Sequence, residues 1–164
     1  MHNIFLIGFM GVGKSTIAKI LAKELQAELI EMDETIEAEA GMTINEIFAT
    51  YGEMHFRDLE SALIQKISEK GGVVVSCGGG AVLRRENVDL MKQSGKIVFL
   101  SATPESIYER VKNSTHRPLL NGNMNVEYIR ELMERRRQLY EEAADVVIVT
   151  DRKWKSQIVR EILS

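Results

Sequence analysis

A glycine-rich stretch near the start of the chain has the residue types and spacing needed to bind phosphate. Residues 8–15 read Gly-Phe-Met-Gly-Val-Gly-Lys-Ser, the phosphate-loop pattern of a glycine, four residues and then Gly-Lys-Ser. The glycines let backbone N–H groups point at an anion, Lys14 can reach the β- and γ-phosphates, and the Ser15 hydroxyl can ligate Mg²⁺. An apolar run at 4–7 and helical spacing from Ile17 supply the strand–loop–helix context that the motif requires. We therefore expect the chain to bind a nucleoside triphosphate.

A segment near residue 130 has the spacing of an amphipathic helix with one charged residue on its apolar side. Apolar residues recur every three or four positions, at Val126, Ile129, Met133, Tyr140 and Ala143. Arg136 completes that stripe, whereas Arg135 and Arg137 belong to a surface of alternating charge. Because an unpaired buried charge is costly, Arg136 should face an anion. The anion is either a bound ligand or a core carboxylate in a structural salt bridge.

Three further groups of residues lie where a ligand could reach them. Asp33 follows a predicted short strand at 28–32 and could be a base, a substrate clamp or only a helix cap. Arg57 precedes Glu60 by three residues, a spacing that lets the carboxylate hold the guanidinium on a helix. Residues 78–80 are all glycine, which permits close approach of a ligand or forms a flexible turn. Each pattern by itself is compatible with an ordinary structural role.

A polar segment over about residues 112–124 has the composition of a lid. Arg117 within it could close over a transferring phosphoryl group and offset its charge, or it could lie in a solvated loop. A phosphate loop alone does not separate a kinase from a switch GTPase or a motor, but the chain lacks the Asn-Lys-x-Asp and Asp-x-x-Gly patterns of a switch GTPase.

Apolar runs separated by helical patterns give the elements that must position these residues. Strands are predicted at 4–7, 28–32, 73–76, 96–100 and 146–149. Helices are predicted between them, including one with a capping box at Thr43, one over 53–70, one with Thr103 as its cap, one over about 125–144 and one from Trp154. This alternation predicts an α/β fold with three layers, α/β/α, around a five-stranded parallel sheet. Ligands bind at the carboxyl ends of such strands, so the phosphate loop, Asp33 and the glycine triplet should meet at one edge.

Length and composition are those of a single soluble domain, covering residues 1–164, with 45% hydrophobic and 27% charged residues. The formal net charge of −3 disfavours a nucleic-acid binder. No apolar run reaches the ~18 residues that span a membrane, and no signal peptide is recognisable. Cys77 is the only cysteine, so we expect a small buried thiol and a reducing, cytoplasmic location. His2, His55 and His116 have no metal-ligand spacing, so any metal should be Mg²⁺ brought by the nucleotide.

Taken together and in order, these motifs resemble the shikimate kinase family. The resemblance rests on the phosphate loop, Asp33 after the second strand, Phe56-Arg57-x-x-Glu60, Gly78-Gly79-Gly80, Arg117-Pro118-Leu119-Leu120 and Arg136-x-x-Leu139-Tyr140. Only the phosphate loop is specific by itself, whereas the ordered combination over nearly the whole chain is highly specific. Two positions depart from the family pattern. Glu31 stands where the family usually has Asp, and Cys77 stands where it often has a hydroxyl residue.

The resemblance implies a P-loop kinase fold of the nucleoside-monophosphate-kinase type, with an acceptor-binding helical region at about 33–60 and a mobile lid. It implies ATP-dependent phosphorylation of the 3-hydroxyl of shikimate, giving shikimate 3-phosphate and ADP, in chorismate and aromatic amino-acid biosynthesis. The partners would be ATP and shikimate, without nucleic acid or membrane, and the enzyme would be a monomer. The alternatives are another small-molecule P-loop kinase, such as a gluconate or nucleotide kinase, and a non-catalytic nucleotide sensor.

The resemblance also implies roles for individual residues of the acceptor site. Arg57, Arg136 and the backbone at Gly79 would hold the shikimate carboxylate. Asp33 would contact the ring hydroxyls and accept the proton of the 3-hydroxyl.

At the nucleotide site, the resemblance implies a larger set of contacts. ATP would be bound by Gly11, Val12, Gly13, Lys14, Ser15, Thr16 and the lid residue Arg117, with Arg110 and Arg152 flanking adenine. Lys14 and Arg117 would stabilise the transferring phosphoryl group. Ser15 would ligate Mg²⁺, and Glu31 would hold the ion through water.

Overall fold

Five strands form the centre of the structure, a computed structural model that describes residues 2–112 and 125–164. The strands are β1 (Asn3–Ile7), β2 (Glu28–Glu31), β3 (Val73–Ser76), β4 (Gly95–Ser101) and β5 (Val146–Val149). All pair in parallel, in the order β2-β3-β1-β4-β5, and Leu6 of β1 lies opposite Ser76 of β3 and Val98 of β4. The predicted five-stranded parallel sheet is therefore confirmed, with every strand end within one residue of its expected position.

Eight α-helices within the described ranges cover this sheet, and none of them is both long and apolar enough to cross a membrane. They are α1 (Lys14–Leu25), α2 (Met32–Ala40), α3 (Ile44–Tyr51), α4 (Glu53–Ser68), α5 (Arg85–Ser94), α6 (Pro104–Val111), α7 (Val126–Ala143) and α8 (Lys155–Leu163), with a 3-10 turn at Ala81–Leu83. The helix α5 has no counterpart among the predicted elements. Its segment is mostly polar, and only Asn87 and Met91 are buried, so its apolar stripe is too sparse to recognise.

Local capping interactions fix where two of the helices begin, as predicted. The Thr43 side chain accepts a hydrogen bond from the Glu46 backbone N–H (3.1 Å), and the Glu46 carboxylate accepts one from the Thr43 N–H (3.0 Å). This capping box opens α3, which ends at Tyr51, directly before Gly52. At α6 the Thr103 side chain accepts a hydrogen bond from the Ser106 N–H (3.2 Å), with Pro104 in the first turn.

Alternate residues of the strands contribute to two hydrophobic cores, one on each face of the sheet. Leu6 and Val98 face a core shared with α1, α6 and α8, whereas Phe5 and Ile97 face a core shared with α2 to α5. The helix α7 contributes to both cores, through Ile129 near its start and through its last turns. Because successive side chains of a strand point to opposite faces, the result is the predicted three-layer α/β/α arrangement.

The carboxyl ends of β1, β2 and β3 bring three of the predicted ligand-contacting segments together. The phosphate loop follows β1, Asp33 lies in the first turn of α2 directly after β2, and the glycine triplet follows β3. Since these strands are neighbours in the sheet, the three segments line one edge, as expected. The N-cap of α2 is Glu31, so the alternative in which Asp33 only caps this helix is wrong.

Asn3, at the start of β1, should contribute strongly to stability. Its side chain is fully buried, donating to the Ile67 carbonyl (3.2 Å) and accepting from the Val73 N–H (3.1 Å). Because Asn3→Ala leaves both backbone groups without that partner, we expect the free energy of unfolding to fall by about 2–4 kcal/mol. Urea denaturation measures the loss, with Gln65→Ala on the exposed side of α4 as the control. Equal effects of the two substitutions would contradict this account.

Candidate active site

The loop between β1 and α1 is shaped to hold an anion. Gly13 takes a left-handed conformation (φ 103°) that other residues rarely adopt, and it forms the N-cap of α1. The helix therefore starts at Lys14, so the N–H groups of its first turn and its partial positive charge face the loop. The Lys14 ammonium donates to the carbonyl oxygens of Gly8 (2.8 Å) and Phe9 (3.1 Å), which holds it over the loop.

Ser15 and Glu31 place two oxygen ligands beside this loop. The Ser15 hydroxyl donates to Glu31 Oε2 (2.9 Å), and Glu31 Oε1 is buried without a hydrogen-bond partner among the described residues. A hydroxyl and a carboxylate with spare acceptor capacity suit Mg²⁺. Across residues 2–112 and 125–164 there is no cluster of three or more His, Cys, Asp or Glu side chains that could hold a metal. The pair therefore fits an ion that arrives with phosphate ligands of its own.

The two arginines predicted to flank adenine lie in different surroundings. Arg110 of α6 donates through Nη1 to the carbonyl oxygens of Val12 (2.5 Å) and Gly11 (3.3 Å), which fixes its guanidinium on the phosphate loop. Arg152 is exposed in the turn after β5, with φ 59°. Of the two, Arg110 alone hydrogen-bonds to the loop in the part of the chain that the structure describes.

A cavity of about 400 Å³ opens beside the loop. It is lined by most of the predicted nucleotide and acceptor residues, namely Gly11, Gly13, Lys14, Ser15, Thr16, Glu31, Asp33, Gly79 and Arg110. Cys77 also lines it, and burial raises the pKa of the Cys77 thiol, so the sulfur stays protonated at neutral pH and is not a nucleophile. The expectation of a small buried thiol is confirmed.

Arg57 and Glu60 form a buried ion pair on α4. Arg57 is 6% exposed and Glu60 is fully buried, with 3.1 Å between Arg57 Nη1 and Glu60 Oε1, which confirms the predicted contact. Glu53 accepts from the other side of the guanidinium, at 3.3 Å from Nε and 3.2 Å from Nη2. Because a buried charge needs partners, the two carboxylates fix both the position and the orientation of Arg57.

Arg136 on α7 points into the protein, as its place in the apolar stripe predicts. It is 6% exposed, and its Nη1 atom is buried without a hydrogen-bond partner in the described residues. Its neighbours Arg135 and Arg137 are exposed, and Arg137 pairs with two glutamates of the same helix. Within the described ranges Arg136 itself forms no ion pair, so the structural salt bridge has no support there and a bound anion is favoured.

The glycine triplet, residues 78–80, makes room for the charged side chains around it. A Cβ atom on its first glycine would lie 2.8 Å from Asp33 Oδ1 and 2.9 Å from Glu60 Oε2. On the second it would lie 3.4 Å from Arg136 Nη1, and on the third 2.6 Å from Arg57 Nη2. Side chains at the first and third positions would push these groups out of place. Two cations and two carboxylates from three helices therefore meet at one backbone turn beside the cavity.

Comparisons with known proteins agree with this geometry. The sequence profile of the shikimate kinase family matches residues 10–164. The shikimate kinase of Thermodesulfovibrio yellowstonii is 43% identical over 163 residues, which make up 99% of this chain and 94% of that protein. The solved shikimate kinase from Acinetobacter baumannii in complex with shikimate has a TM-score of 0.95 at 33% identity, covering 99% of this chain and 91% of that one. The chain belongs to the shikimate kinase family.

One structural neighbour, a kinase outside the shikimate kinase family, shares only the fold with this chain. The gluconokinase of Sinorhizobium meliloti covers 99% of this chain and 89% of its own, with a TM-score of 0.58 and 21% identity. Such identity shows a shared architecture and carries no information about the acceptor. The gluconate-kinase alternative therefore has no support beyond the fold.

The family motifs did not predict that Arg57 and Glu60 are buried. Both residues occupy inward positions of the same helical stripe as Phe56, Leu63 and Ile67. Glu60 lies four residues after Phe56 and three before Leu63, and Arg57 lies three before Glu60, so helical spacing was the available signal, as it was for Arg136.

Some predictions lie outside the described residues. Arg117, expected to reach the phosphates, His116 and nearly all of the expected lid belong to residues 113–124. The role of Arg117 stays a prediction from the family resemblance. The other two histidines, His2 and His55, are exposed, as expected.

Glu60 should make the stability of this shikimate kinase family member depend on pH. Burial raises the pKa of Glu60 from an ordinary 4.5 to about 7, with Arg57 opposing the rise, Asp33 adding to it and Arg136 opposing it. A carboxyl whose pKa is raised by folding holds its proton more tightly in the folded state. Its contribution to stability is therefore present below about pH 4.5 and lost as the pH rises to about 7. We expect this group to lower the free energy of unfolding by about 3 kcal/mol across that window.

Urea denaturation at several pH values between about 4.5 and 8 measures this effect in the wild type and in Glu60→Gln. Glutamine keeps the shape of the side chain and an acceptor for Arg57 but cannot ionise. The difference between the two curves isolates Glu60, and it should grow as the pH rises. Two parallel curves would show that Glu60 does not titrate in this range.

Proposed function

We propose that the chain is an enzyme that transfers the γ-phosphoryl group of ATP to the 3-hydroxyl of shikimate, within chorismate and aromatic amino-acid biosynthesis. The observation that carries the proposal is the buried guanidinium of Arg136, which lacks an ion-pair partner among the described residues and lies beside Arg57 at the glycine triplet. Two fixed cations in a largely buried site suit a small carboxylate. Shikimate is such an acid, and the similar A. baumannii kinase was solved with it.

The phosphate loop would supply the nucleotide half of the site. The Lys14 ammonium donates to two loop carbonyls, and these bonds can be exchanged for oxygens of the β- and γ-phosphates. Arg110 adds a second positive charge on the loop, 2.5 Å from the Val12 carbonyl. Mg²⁺, when bound with ATP, would be held by the Ser15 hydroxyl with Glu31 beside it, and it would neutralise charge on the phosphates.

The acceptor half would hold the acid at its carboxylate. Arg57 is fixed by two glutamates, and Arg136 approaches the second glycine of the triplet, so the two guanidinium groups define one end of the site. Asp33 and the phosphate loop line the same cavity, and Asp33 would contact the ring hydroxyls of shikimate. Fixing the carboxylate end presents the 3-hydroxyl to the γ-phosphorus and converts a bimolecular encounter into an oriented reaction.

The transfer itself needs one proton acceptor. As the 3-hydroxyl oxygen bonds to the γ-phosphorus, the bond from that phosphorus to the β,γ-bridging oxygen breaks, ADP leaves and the hydroxyl proton passes to the Asp33 carboxylate. Asp33 is exposed, so it can return the proton to water after the product leaves. Lys14 stabilises the charge on the transferring group, and Arg117 remains predicted to assist it.

ATP consumption with a panel of acceptors tests this proposal. The purified protein is given Mg²⁺ and ATP with shikimate, quinate, gluconate or AMP, and ADP formation is followed. Stimulation by shikimate alone is expected, with phosphorus NMR placing the phosphate on the 3-oxygen. Stimulation by gluconate or AMP would favour the alternative kinases. Binding of ATP without acceptor-dependent turnover would indicate a nucleotide sensor.

Arg136→Ala should weaken acceptor binding while sparing the nucleotide site. Loss of a buried guanidinium that pairs with a carboxylate should raise the KM for shikimate by about 10- to 100-fold and change kcat and the KM for ATP by less than about threefold. Arg135→Ala, one residue away on the exposed side of α7, is the matched control. If both variants keep the wild-type KM for shikimate, Arg136 does not belong to the acceptor site.

We further propose that residues 1–164 act as one domain, with an acceptor-binding region at about 33–60 and a lid at about 112–124. One sheet shared by two cores supports the single domain. We also propose a monomer that binds ATP and shikimate and neither membrane nor nucleic acid; the formal net charge of −3 supports the absence of a nucleic-acid partner. A cytoplasmic location is supported by Cys77, the only cysteine, which is a free thiol.

A further inference from the structure

We propose that Tyr140 is a positioning residue of the acceptor site, whose hydroxyl ties the Arg136 guanidinium to the backbone of the glycine triplet. In the sequence, Tyr140 stood out only as a member of the apolar stripe of α7 and of a family motif. The inference rests on the proposed function, because it concerns the carboxylate that Arg136 would bind. It predicts that the hydroxyl sets acceptor affinity and has little influence on the chemical step.

Tyr140 follows Arg136 by one helical turn, so both side chains leave α7 on the same face. The Tyr140 hydroxyl donates to the carbonyl oxygen of Gly79. Burial raises the pKa of Tyr140, while the charge of Arg136 and its hydrogen bond to the phenol oxygen oppose that rise. A phenol can donate one hydrogen bond and accept another, so a single hydroxyl connects Arg136 on one side with Gly79 on the other.

The ring of Tyr140 packs in the core of the protein and also borders a cavity. It is 2% exposed and stacks on Phe99 of β4, with 5.0 Å between ring centroids. It also borders a second cavity, of about 240 Å³, which is lined by Phe9 and Met133 among others. Because a cavity borders the ring, the hydroxyl bond to the Gly79 carbonyl adds to the packing that holds the outer end of the ring in place.

A neutral partner suits Arg136 better than a carboxylate would. Arg57 is oriented by Glu53 and Glu60, whose charges also oppose its attraction for an incoming anion. The Tyr140 phenol orients Arg136 without a negative charge, so the positive charge of Arg136 stays available to a ligand. Holding the guanidinium in one orientation before the acid arrives lowers the entropy lost on binding.

The bond from Tyr140 also restrains the glycine triplet. A Cβ atom at Gly79 would lie 3.4 Å from Arg136 Nη1, so this backbone and this guanidinium are close neighbours. A shift of either one changes the space left for a carboxylate between them. Removal of the phenol oxygen therefore removes a restraint on both the Gly79 backbone and the Arg136 guanidinium.

The test compares Tyr140→Phe with the wild type. Phenylalanine keeps the ring, its stacking on Phe99 and most of its volume, and it removes only the hydroxyl. We expect the KM for shikimate to rise by about 5- to 20-fold, while kcat and the KM for ATP stay within about twofold. Tyr128→Phe, at the other end of α7, is the matched control and should leave all three constants within about twofold.

A double variant separates positioning of Arg136 from a general structural effect. If Tyr140 acts through Arg136, adding Tyr140→Phe to Arg136→Ala should raise the KM for shikimate by less than about twofold more. Multiplying effects in the double variant would overturn the inference. So would a wild-type KM in Tyr140→Phe, or a fall in kcat and thermal stability with an unchanged KM.

The acceptor assay on the wild-type protein distinguishes failure of this inference from failure of the proposed function. If shikimate stimulates the wild type and Tyr140→Phe behaves like it, the inference fails and the function stands. If another acid proves to be the acceptor, the function fails and the same comparison of KM values is made with that acid. If no acid stimulates turnover, both fail.

Discussion

The burial of three charged side chains beside a turn of three glycines is the constraint on which the acceptor half of this structure depends. Arg57, Glu60 and Arg136 come from two helices and approach residues 78–80, where side chains on the first and third glycines would displace Asp33, Glu60 and Arg57. Each buried charged group is stabilised in a different way. Arg57 has two carboxylates, the raised pKa of Glu60 allows it to be neutral, and Arg136 has a neutral phenol beside it and space for an anion.

The two halves of the site differ in how they are built. The phosphate loop is a local structure, because the strand, the glycines, the lysine and the helix that form it are consecutive in the chain. The acceptor half is assembled from α2, α4, α7 and the loop after β3, which only packing brings together. The parallel sheet joins the halves, since β1 and β3 are neighbours and their carboxyl ends open on the same cavity.

The site retains polar groups that the rest of the described structure does not satisfy. Among the described residues, five buried side-chain atoms lack a hydrogen-bond partner, and three of them belong to Glu31, Glu60 and Arg136. Such atoms cost stability, and their concentration at the cavity and the glycine triplet indicates groups held ready for ligands rather than for the fold. The same reasoning favours a bound anion over a core salt bridge at Arg136.

Sequence patterns were enough to predict the strands, the phosphate loop, the inward direction of Arg136 and, through the order of the motifs, the shikimate kinase family. These features are encoded locally, in the spacing of apolar residues and in short glycine-rich patterns. Only the packed fold showed that the Arg57–Glu60 pair is buried, that each glycine of the triplet faces a charged group, and that the Tyr140 hydroxyl donates to the Gly79 carbonyl. Those contacts join segments far apart in the chain, and a local pattern carries no information about which distant side chain will fill the space opposite it.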